Sequence, residues 1–451
     1  MTLLFNGDQQ VYKIIKKSRI DRNHSLRLSR WVFCLTKENA ILLRNSLSKQ
    51  VYRLNLDEWA AVEQKAFSSP VVEELTKSRF LVEENYDDLA QYIMIISALR
   101  NAGNREQGAK QFTILPTTGC NARCVYCYQQ GIATQTMTPE ITAKTVDFIC
   151  SAKREGRIKL HWFGGEPLCA SDIISDICLE LQKRGVDYTS SITTNGSLFS
   201  SELVQKAVAL WHLEKAQVSM DGAREDYEAR KQYLRPDLYN YDVVMRNIML
   251  LAEAGVKVTI RCNCDLENMS RTYGFIDECA LRFLSTGNVH VVPALLKQDM
   301  ITKERDLRTV DQKVAISMYA EQAGFMQKRG LSSRLATNRC MADAGGVHII
   351  IDPSGGLHVC EDQVGGEPLG SIFDDVSPVW PTTPLTPAEE CRECSFLPDC
   401  TPFYRLGCPL CSADCKELME RGMYRRLEDL LKAGVESGCI TSLEADDEIC
   451  L

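Results

Sequence analysis

The sequence predicts an α/β protein whose centre is a partial (β/α)6 TIM-like barrel, between an N-terminal winged-helix-like domain and a C-terminal cysteine-rich domain. In the middle of the chain six strand-like segments alternate with helix-like ones, three cysteines follow the first of these strands, and cysteine, proline and glycine dominate the last part. Alternating units favour parallel strands joined by right-handed crossovers. A doubly wound sheet is the competing arrangement, and both place the chemistry at the C-terminal ends of the strands. We expect domains at 1–105, 106–332 and 333–451.

The bulk composition is ordinary except for cysteine. The 451 residues favour two or three domains, and a hydrophobic fraction of 45% is enough for packed cores. The net charge is -8, without a Lys/Arg-rich run, so we expect no nucleic-acid partner. We find no signal-peptide pattern, and the apolar stretch 92–99 is too short to span a bilayer, so we expect a cytoplasmic protein without a membrane partner. Twenty cysteines at short spacings indicate metal binding or catalysis, not disulfides.

The first domain is predicted from alternation and cap residues. Residues 41–55 alternate apolar and polar around a Ser-Leu-Ser turn, which predicts a β-hairpin. A helix is expected over 56–67 with Asp57 as its cap, followed by a short helix and a strand over 68–84. The polar, glycine-bearing segment 101–110 is expected to be the linker to the next domain.

The barrel is predicted from six strand and helix pairs. The strands are expected at 112–117, 158–163, 186–195, 215–220, 256–262 and 288–294. The first helix is expected to begin after the cap Thr138, with Pro139 at its first position, and to stop at Gly156. The other helices are expected at 171–185, 201–211, 240–255, 270–284 and 311–327.

A three-cysteine loop follows the first barrel strand. Cys120, Cys124 and Cys127 have the spacing C-x3-C-x2-C. Thiolates select zinc, copper(I) or iron–sulfur clusters. Because structural zinc takes four ligands, three thiolates without a nearby fourth suit a four-iron cluster with one iron open to another ligand. A zinc site that takes a distant fourth ligand is the alternative.

Polar motifs recur at the ends of the next three strands. "FGGEP" (163–167) follows the second strand, "TTNG" (193–196) the third and "SMDG" (219–222) the fourth. The glycines allow backbone to approach a ligand, and Glu166 and Asp221 supply carboxylates. Since these strand ends meet at one face, the motifs together predict a ligand pocket.

"CNARCVYCY" followed by "GGEP" resembles the radical S-adenosylmethionine (SAM) superfamily. The resemblance, over residues 112 to about 300, implies a [4Fe–4S] cluster on the three cysteines and SAM bound to the open iron. It implies reductive cleavage of SAM to a 5′-deoxyadenosyl radical, with an electron from an external reductant such as flavodoxin or ferredoxin. The cofactor would supply the chemistry and the protein the orientation.

The same resemblance implies contacts with SAM. The glycine-rich loop, Gly164, Gly165 and Glu166, would contact the amino group, and Tyr126 would offer backbone to the adenine. Ribose and carboxylate contacts are expected from Asn195, Asp221, Arg261 and Asn263.

A second group of eight cysteines matches two four-cysteine sites. Its members are Cys340, Cys360, Cys391, Cys394, Cys400, Cys408, Cys411 and Cys415. The group resembles the SPASM domain of radical SAM enzymes that modify peptides, which implies two auxiliary [4Fe–4S] clusters and three clusters in all. The spacing departs from the family pattern, because seven residues separate Cys400 from Cys408 where three are usual. Two zinc sites are the alternative.

The departure affects how the cysteines divide between the auxiliary clusters. We assign Cys391, Cys394, Cys400 and Cys415 to one cluster. Cys340, Cys360 and Cys408 go to the other, with Cys411 as an alternative ligand for either.

The N-terminal hairpin and helices resemble the precursor-peptide recognition element of peptide maturases, which binds a leader peptide as an added strand. A plain capping domain is the alternative. We therefore expect a maturase that cross-links a ribosomally made precursor peptide, for example through a thioether. A sulfatase-maturase-like enzyme that forms formylglycine is a second possibility. A zinc-stabilised peptide-binding protein without catalysis is a third.

Overall fold

The computed structural model describes residues 1–5, 15, 25–37, 39–66, 68–104, 108–265, 267–296, 347–375, 378, 380, 389–398, 424 and 427. The chain divides into two compact units, one of residues 1–105, 336–340 and 384–451, the other of residues 106–335 and 341–383. The helix expected at 311–327 lies outside the described residues, as do Cys340, Cys400, Cys408, Cys411 and Cys415. The domain boundaries expected at 105 and 332 stay predictions.

The first unit is built on an antiparallel sheet. Its strands are β1 (Thr2–Phe5), β3 (Val32–Lys37), β4 (Ala40–Asn45) and β5 (Val51–Leu54), in the order β1-β5-β4-β3. A smaller sheet pairs β2 (Leu26–Leu28) with β6 (Leu81–Glu83). Strands β4 and β5 form the predicted hairpin, with Arg44 opposite Val51.

The helices of this unit are α1 (Leu56–Glu63), α2 (Pro70–Lys77) and α3 (Asp88–Asn104). The prediction of Asp57 as the cap of α1 is wrong, because Asn55 caps it through a capping box. The Asn55 side chain accepts from the Glu58 amide at 2.8 Å, and the Glu58 carboxylate accepts from the Asn55 amide at 2.9 Å. Helix α3 also continues to Asn104, into the segment predicted as linker.

The segment 389–398 packs within this first unit. The Phe396 ring lies 4.7 Å from that of Phe33 on β3, and both side chains are buried. Ser46 Oγ donates to the Ser395 carbonyl at 3.3 Å, and Lys49 Nζ donates to the Pro398 carbonyl at 3.2 Å. Part of the C-terminal cysteine-rich segment therefore shares a core with the N-terminal sheet.

The second unit contains the predicted α/β core. Its strands are β7 (Gln111–Thr117), β8 (Ile158–Gly164), β9 (Tyr188–Thr194), β10 (Leu213–Met220), β11 (Lys257–Cys264) and β12 (Val289–Leu295). Its helices are α4 (Pro139–Ala152), α5 (Ser171–Lys183), α6 (Ser201–Ala209), α7 (Arg224–Lys231), α8 (Tyr241–Glu253) and α9 (Thr272–Phe283). All neighbouring strands from β7 to β12 are parallel.

The strand order confirms the partial barrel. From β7 to β12 the strands follow chain order without the reversal that defines a doubly wound sheet. Beyond β7 the sheet continues with β13 (His348–Ile351), β14 (Gly356–His358) and β15 (Gly370–Ser371), of which β13 is parallel to β7. This extension of the sheet was not predicted.

Two details of the helices differ from expectation. Thr138 caps α4 and Pro139 begins it as predicted, but the helix ends at Ala152 and not near Gly156, because Lys153 is already extended. Helix α7 was not predicted, since its sequence "REDYEARK" has hardly any apolar periodicity.

In β8, side chains on one face of the sheet are fully buried, whereas those on the other face are only half-buried. The side chains of Leu160 and Trp162 are fully buried, whereas those of His161 and Phe163, which alternate with them along the strand, are half-buried. The hydrophobic core thus fixes the strands, and their C-terminal ends carry the loops of the candidate site. No helix in the described ranges is long and apolar enough to cross a membrane.

Candidate active site

The three-cysteine loop directly follows β7. Cys120, Cys124 and Cys127 are half-buried and carry free thiols. The Cys127 amide donates to the Cys124 carbonyl at 3.1 Å, and the Ala122 amide donates to Cys120 Sγ at 3.4 Å. The loop backbone therefore already holds one sulfur with an amide hydrogen bond.

Burial governs the protonation of the Cys120 and Cys124 thiols. It raises the pKa of Cys120 to about 12, with a further contribution from Glu166. Burial also raises the pKa of Cys124, although Lys231 acts in the opposite direction. A bound cationic group lowers the pKa of its thiol ligands, so binding one here would release protons.

The chemistry of the donor set fits an iron–sulfur cluster. In the part of the chain that the structure describes, no three His, Cys, Asp or Glu side chains are grouped closely enough to hold a metal ion. A four-iron cluster takes each cysteine on a different iron, so it does not need three sulfurs converging on one point. Three free, half-buried thiols within one loop suit such a cluster.

The glycine-rich loop after β8 packs against the cysteine loop. The Gly165 amide donates to the Thr117 carbonyl at 3.2 Å, and the Glu166 amide donates to the Gly119 carbonyl at 2.8 Å. Gly164 has a φ of 124°, and a Cβ built there would overlap the Thr117 carbonyl oxygen. Both glycines are required by this close approach of two backbones.

Glu166 is buried and joins two strand ends. Its Oε1 accepts from the Leu168 amide at 3.1 Å and from Thr194 Oγ1 at 2.8 Å, and its Oε2 accepts from the Asn195 amide at 2.7 Å. Burial raises the pKa of Glu166, and these hydrogen bonds counteract part of the increase. The carboxylate thus fixes the β9 end against the glycine-rich loop.

Asn195 links the third strand end to the cysteine loop. Its Nδ2 donates to Asn121 Oδ1 at 2.8 Å, while its Oδ1 accepts from Ser197 Oγ at 2.6 Å. Asn121 Nδ2 in turn donates to Ser197 Oγ at 2.9 Å. The TTNG motif is therefore part of the scaffold around the cysteines.

Asp221 forms the centre of a buried polar network after β10. It accepts from the Tyr126 hydroxyl at 2.5 Å and from Asn263 Nδ2 at 3.2 Å, and its Oδ2 lies 3.6 Å from Lys231 Nζ. Burial and the Asp221 charge both raise the pKa of Tyr126, so this phenol is a neutral donor. Arg261 joins the network through Asn263, donating from Nε to Oδ1 at 3.0 Å.

The predicted residues of the strand-end face are thus connected. Hydrogen bonds link the cysteine loop to Glu166, Asn195 and Asp221. Arg261 is connected to Asp221 through Asn263. Their roles in SAM binding stay predictions. Lys231 was not predicted as a site residue, because its only signal in the sequence is the charged run of α7.

The described auxiliary cysteines lie in both units. Cys360 follows β14 in the second unit, whereas Cys391 and Cys394 belong to the first. The hairpin before Cys360 is held by Asp352, which pairs with His358 Nε2 at 2.8 Å and accepts from the Gly356 amide at 2.9 Å. Their assignment to clusters stays a prediction.

Comparison with known proteins identifies the domain that carries this site. Residues 114–273 match the radical SAM superfamily. An Fe-coproporphyrin III synthase of Methanosarcina barkeri is 23% identical over 229 residues, 50% of this chain and 54% of that protein. A probable GTP 3′,8-cyclase of Methanosarcina mazei is 28% identical over 224 residues, 48% of this chain and 63% of that protein. The chain therefore spans less than two thirds of either relative.

Solved structures extend the similarity in fold. Native anSMEcpe with bound AdoMet and the Cp18Cys peptide has a TM-score of 0.56 at 16% identity, covering 72% of this chain and 99% of that chain. Native anSMEcpe with AdoMet alone has the same TM-score, identity and coverage.

Proposed function

We propose that this chain, which belongs to the radical SAM superfamily, cleaves SAM reductively at a [4Fe–4S] cluster held by Cys120, Cys124 and Cys127. One observation carries the proposal: the glycine-rich loop is hydrogen-bonded directly to the three-cysteine loop, through the Glu166 amide and the Gly119 carbonyl at 2.8 Å. When bound, the cluster would supply an electron, received from an external reductant such as flavodoxin or ferredoxin, for the cleavage of SAM to methionine and a 5′-deoxyadenosyl radical that abstracts a hydrogen atom from the substrate.

In that reaction the residues of this chain would bind and orient SAM. Glu166 and Asp221 place carboxylates after β8 and β10, which lie on either side of β9, and there they would favour the amino group and the ribose of SAM. Asn195, Asn263 and Arg261 supply amide and guanidinium groups at the same face. Because the network is already hydrogen-bonded, little reorganisation is needed when the ligand binds.

The substrate we infer is a ribosomally made precursor peptide. The radical SAM match alone does not fix a substrate, since the relatives are named for porphyrin and nucleotide chemistry. Two observations support a peptide. The anSMEcpe structure, whose fold covers 72% of this chain, contains a bound peptide beside AdoMet. In addition, among the described residues of the first unit β3 lies at one end of the strand order, a position where a leader peptide can add as a strand.

The modification we propose is a cross-link, such as a thioether, with two auxiliary [4Fe–4S] clusters on the C-terminal cysteines. Iron and acid-labile sulfide analysis should give four irons for each of three clusters after anaerobic reconstitution. Zinc without iron would contradict the proposed enzyme activity and favour a peptide-binding protein.

Co-expression with short open reading frames beside the gene tests the substrate. A peptide that loses the mass of two hydrogen atoms per link, and gains no aldehyde reactivity, supports cross-linking. An aldehyde would favour formylglycine formation instead. Peptides of unchanged mass, although the enzyme cleaves SAM, would contradict the cross-linking proposal.

A further inference from the structure

The segment that spans the C-terminal end of helix α7 and the residues just after it runs beside the three-cysteine loop and is hydrogen-bonded to it along its length. The Val125 amide donates to the Arg230 carbonyl at 3.0 Å, and the Arg123 amide donates to the Gln232 carbonyl at 2.9 Å. In the other direction, the Leu234 amide donates to the Asn121 carbonyl at 2.9 Å. We call residues 230–234 the loop clamp. Its backbone fixes the position of its side chains relative to the cysteines.

The clamp places a lysine in the interior beside the loop. The Lys231 side chain is 2% exposed, and Nζ donates to the Ser219 carbonyl at 2.9 Å and to the Tyr126 hydroxyl at 3.2 Å. Its Nζ also lies 5.9 Å from the centre of the Tyr126 ring. Since Tyr126 stands between Cys124 and Cys127 in the loop, Lys231 contacts the loop at its ligand-bearing part.

Lys231 is charged in spite of its burial. Burial lowers the pKa of Lys231, but nearby negative charge, first of all that of Asp221, raises it by more, so the net shift is upward. A buried cation is tolerated only when it is paired and hydrogen-bonded, and Asp221 at 3.6 Å supplies the opposite charge. The pair places one fixed positive and one fixed negative charge next to the cysteine loop.

We propose that Lys231 is a positioning residue for the three-cysteine loop and that its buried positive charge raises the reduction potential of the cluster bound there. The inference rests on the proposed function, because it requires the three cysteines to hold a cluster. Net charge and hydrogen bonding near a cluster set its potential, and reduction adds negative charge that a nearby cation stabilises. Asp221 should have the opposite effect.

The test is a redox titration of the reconstituted full-length protein, monitored by electron paramagnetic resonance. The relevant signal is the one absent from the Cys120→Ala, Cys124→Ala, Cys127→Ala variant. We expect Lys231→Met to shift the midpoint potential downward and Asp221→Asn to shift it upward. Combining the two substitutions should return it close to the wild-type value, because the net local charge is then unchanged.

Controls separate an electrostatic effect from a loss of structure. Lys231→Arg keeps the charge and should stay near the wild-type potential. Lys183→Met removes an exposed lysine, with 71% of its side chain accessible, and should leave the potential unchanged. If Lys231→Met does not fold, the double variant, which leaves no unpaired buried charge, is compared with Asp221→Asn. The difference between their midpoint potentials then gives the effect of removing the Lys231 charge, which should be downward.

The outcomes are distinguishable from those of the proposed function. If wild-type protein shows no signal that depends on the three cysteines, the proposed function fails. If the signal is present and Lys231→Met leaves its potential unchanged, or shifts it upward, only this inference is overturned. A downward shift in Lys231→Arg as large as in Lys231→Met would also refute a role for the charge.

Discussion

Replacing Gly165 by alanine should damage the site without unfolding the barrel. A Cβ at this position would meet the carbonyl oxygens of Thr118 and Gly119 at less than 3.0 Å, a separation that Cβ atoms essentially never show. Because nonbonded heavy atoms pack at about 3.5 Å, the two loops must separate on the order of 1 Å. Such overpacking costs about 1–3 kcal/mol of stability. The displaced Gly119 directly precedes Cys120, so the cysteine loop moves as well.

The expected functional loss follows from that displacement. A misplacement of about 1 Å can cost on the order of 100-fold in rate. We therefore expect Gly165→Ala to form 5′-deoxyadenosine about 100-fold more slowly than wild type, measured by chromatography after anaerobic incubation with SAM and dithionite. Iron content and thermal denaturation, measured on the same samples, separate cluster loss from unfolding.

Gly274→Ala is the matched control. Gly274 lies in helix α9, and a methyl group added there would meet no heavy atom within 4 Å. Alanine there should be neutral or stabilise the protein by up to about 1 kcal/mol, with wild-type turnover. Wild-type turnover and iron content in Gly165→Ala would refute the argument that this loop contact shapes the site.

Three further predictions concern stability, measured by denaturant unfolding. Hydrogen bonds outweigh burial and lower the pKa of Asp352 in the folded protein, so the ionised carboxylate stabilises the fold at pH values above the pKa of Asp352 in the unfolded chain. We expect Asp352→Asn to cost about 1–3 kcal/mol at pH 7. The difference between the variant and wild type should vanish as the pH falls through the pKa of Asp352 in the folded protein. A difference independent of pH would contradict this. Asn55→Ala should cost about 1 kcal/mol through loss of the capping box, and no change would refute the cap. Because Phe396 is buried against Phe33, Phe396→Ala should cost about 3–5 kcal/mol. Phe373 is exposed, so Phe373→Ala should change stability by under about 0.5 kcal/mol. Equal effects of the two substitutions would refute the packing of Phe396 in a core.

Much of the fold was predictable because its strands and helices have strong local patterns. The hairpin over 41–55 and the six barrel strands alternate or carry apolar runs bounded by turn residues, and the structure places strands in all of them. Helix α7 was missed because its stability comes from packing of Tyr227 and from hydrogen bonds to a distant loop. The extension of the sheet by β13 was missed because pairing across more than 200 residues leaves no local signal.

The candidate site was predictable in its motifs and not in its connections. Cys120, Glu166 and Asp221 stand in recognisable spacings, and parallel strands bring their ends together. The partner of Asp221, Lys231, lies on an unpredicted helix, and its burial depends on the full fold. Likewise, nothing in the sequence indicates that the TTNG motif is hydrogen-bonded to Asn121.

The central claim is that a radical generated at the three-cysteine loop is directed at a peptide. Its most direct test uses a fully deuterated precursor peptide, incubated anaerobically with reconstituted enzyme, SAM and reductant, with mass spectrometry of the 5′-deoxyadenosine formed. We predict deuterium in the 5′-deoxyadenosine, together with modification of the peptide, and neither product from the variant that lacks Cys120, Cys124 and Cys127. Unlabelled 5′-deoxyadenosine beside an unmodified peptide that is bound by the enzyme would contradict the claim.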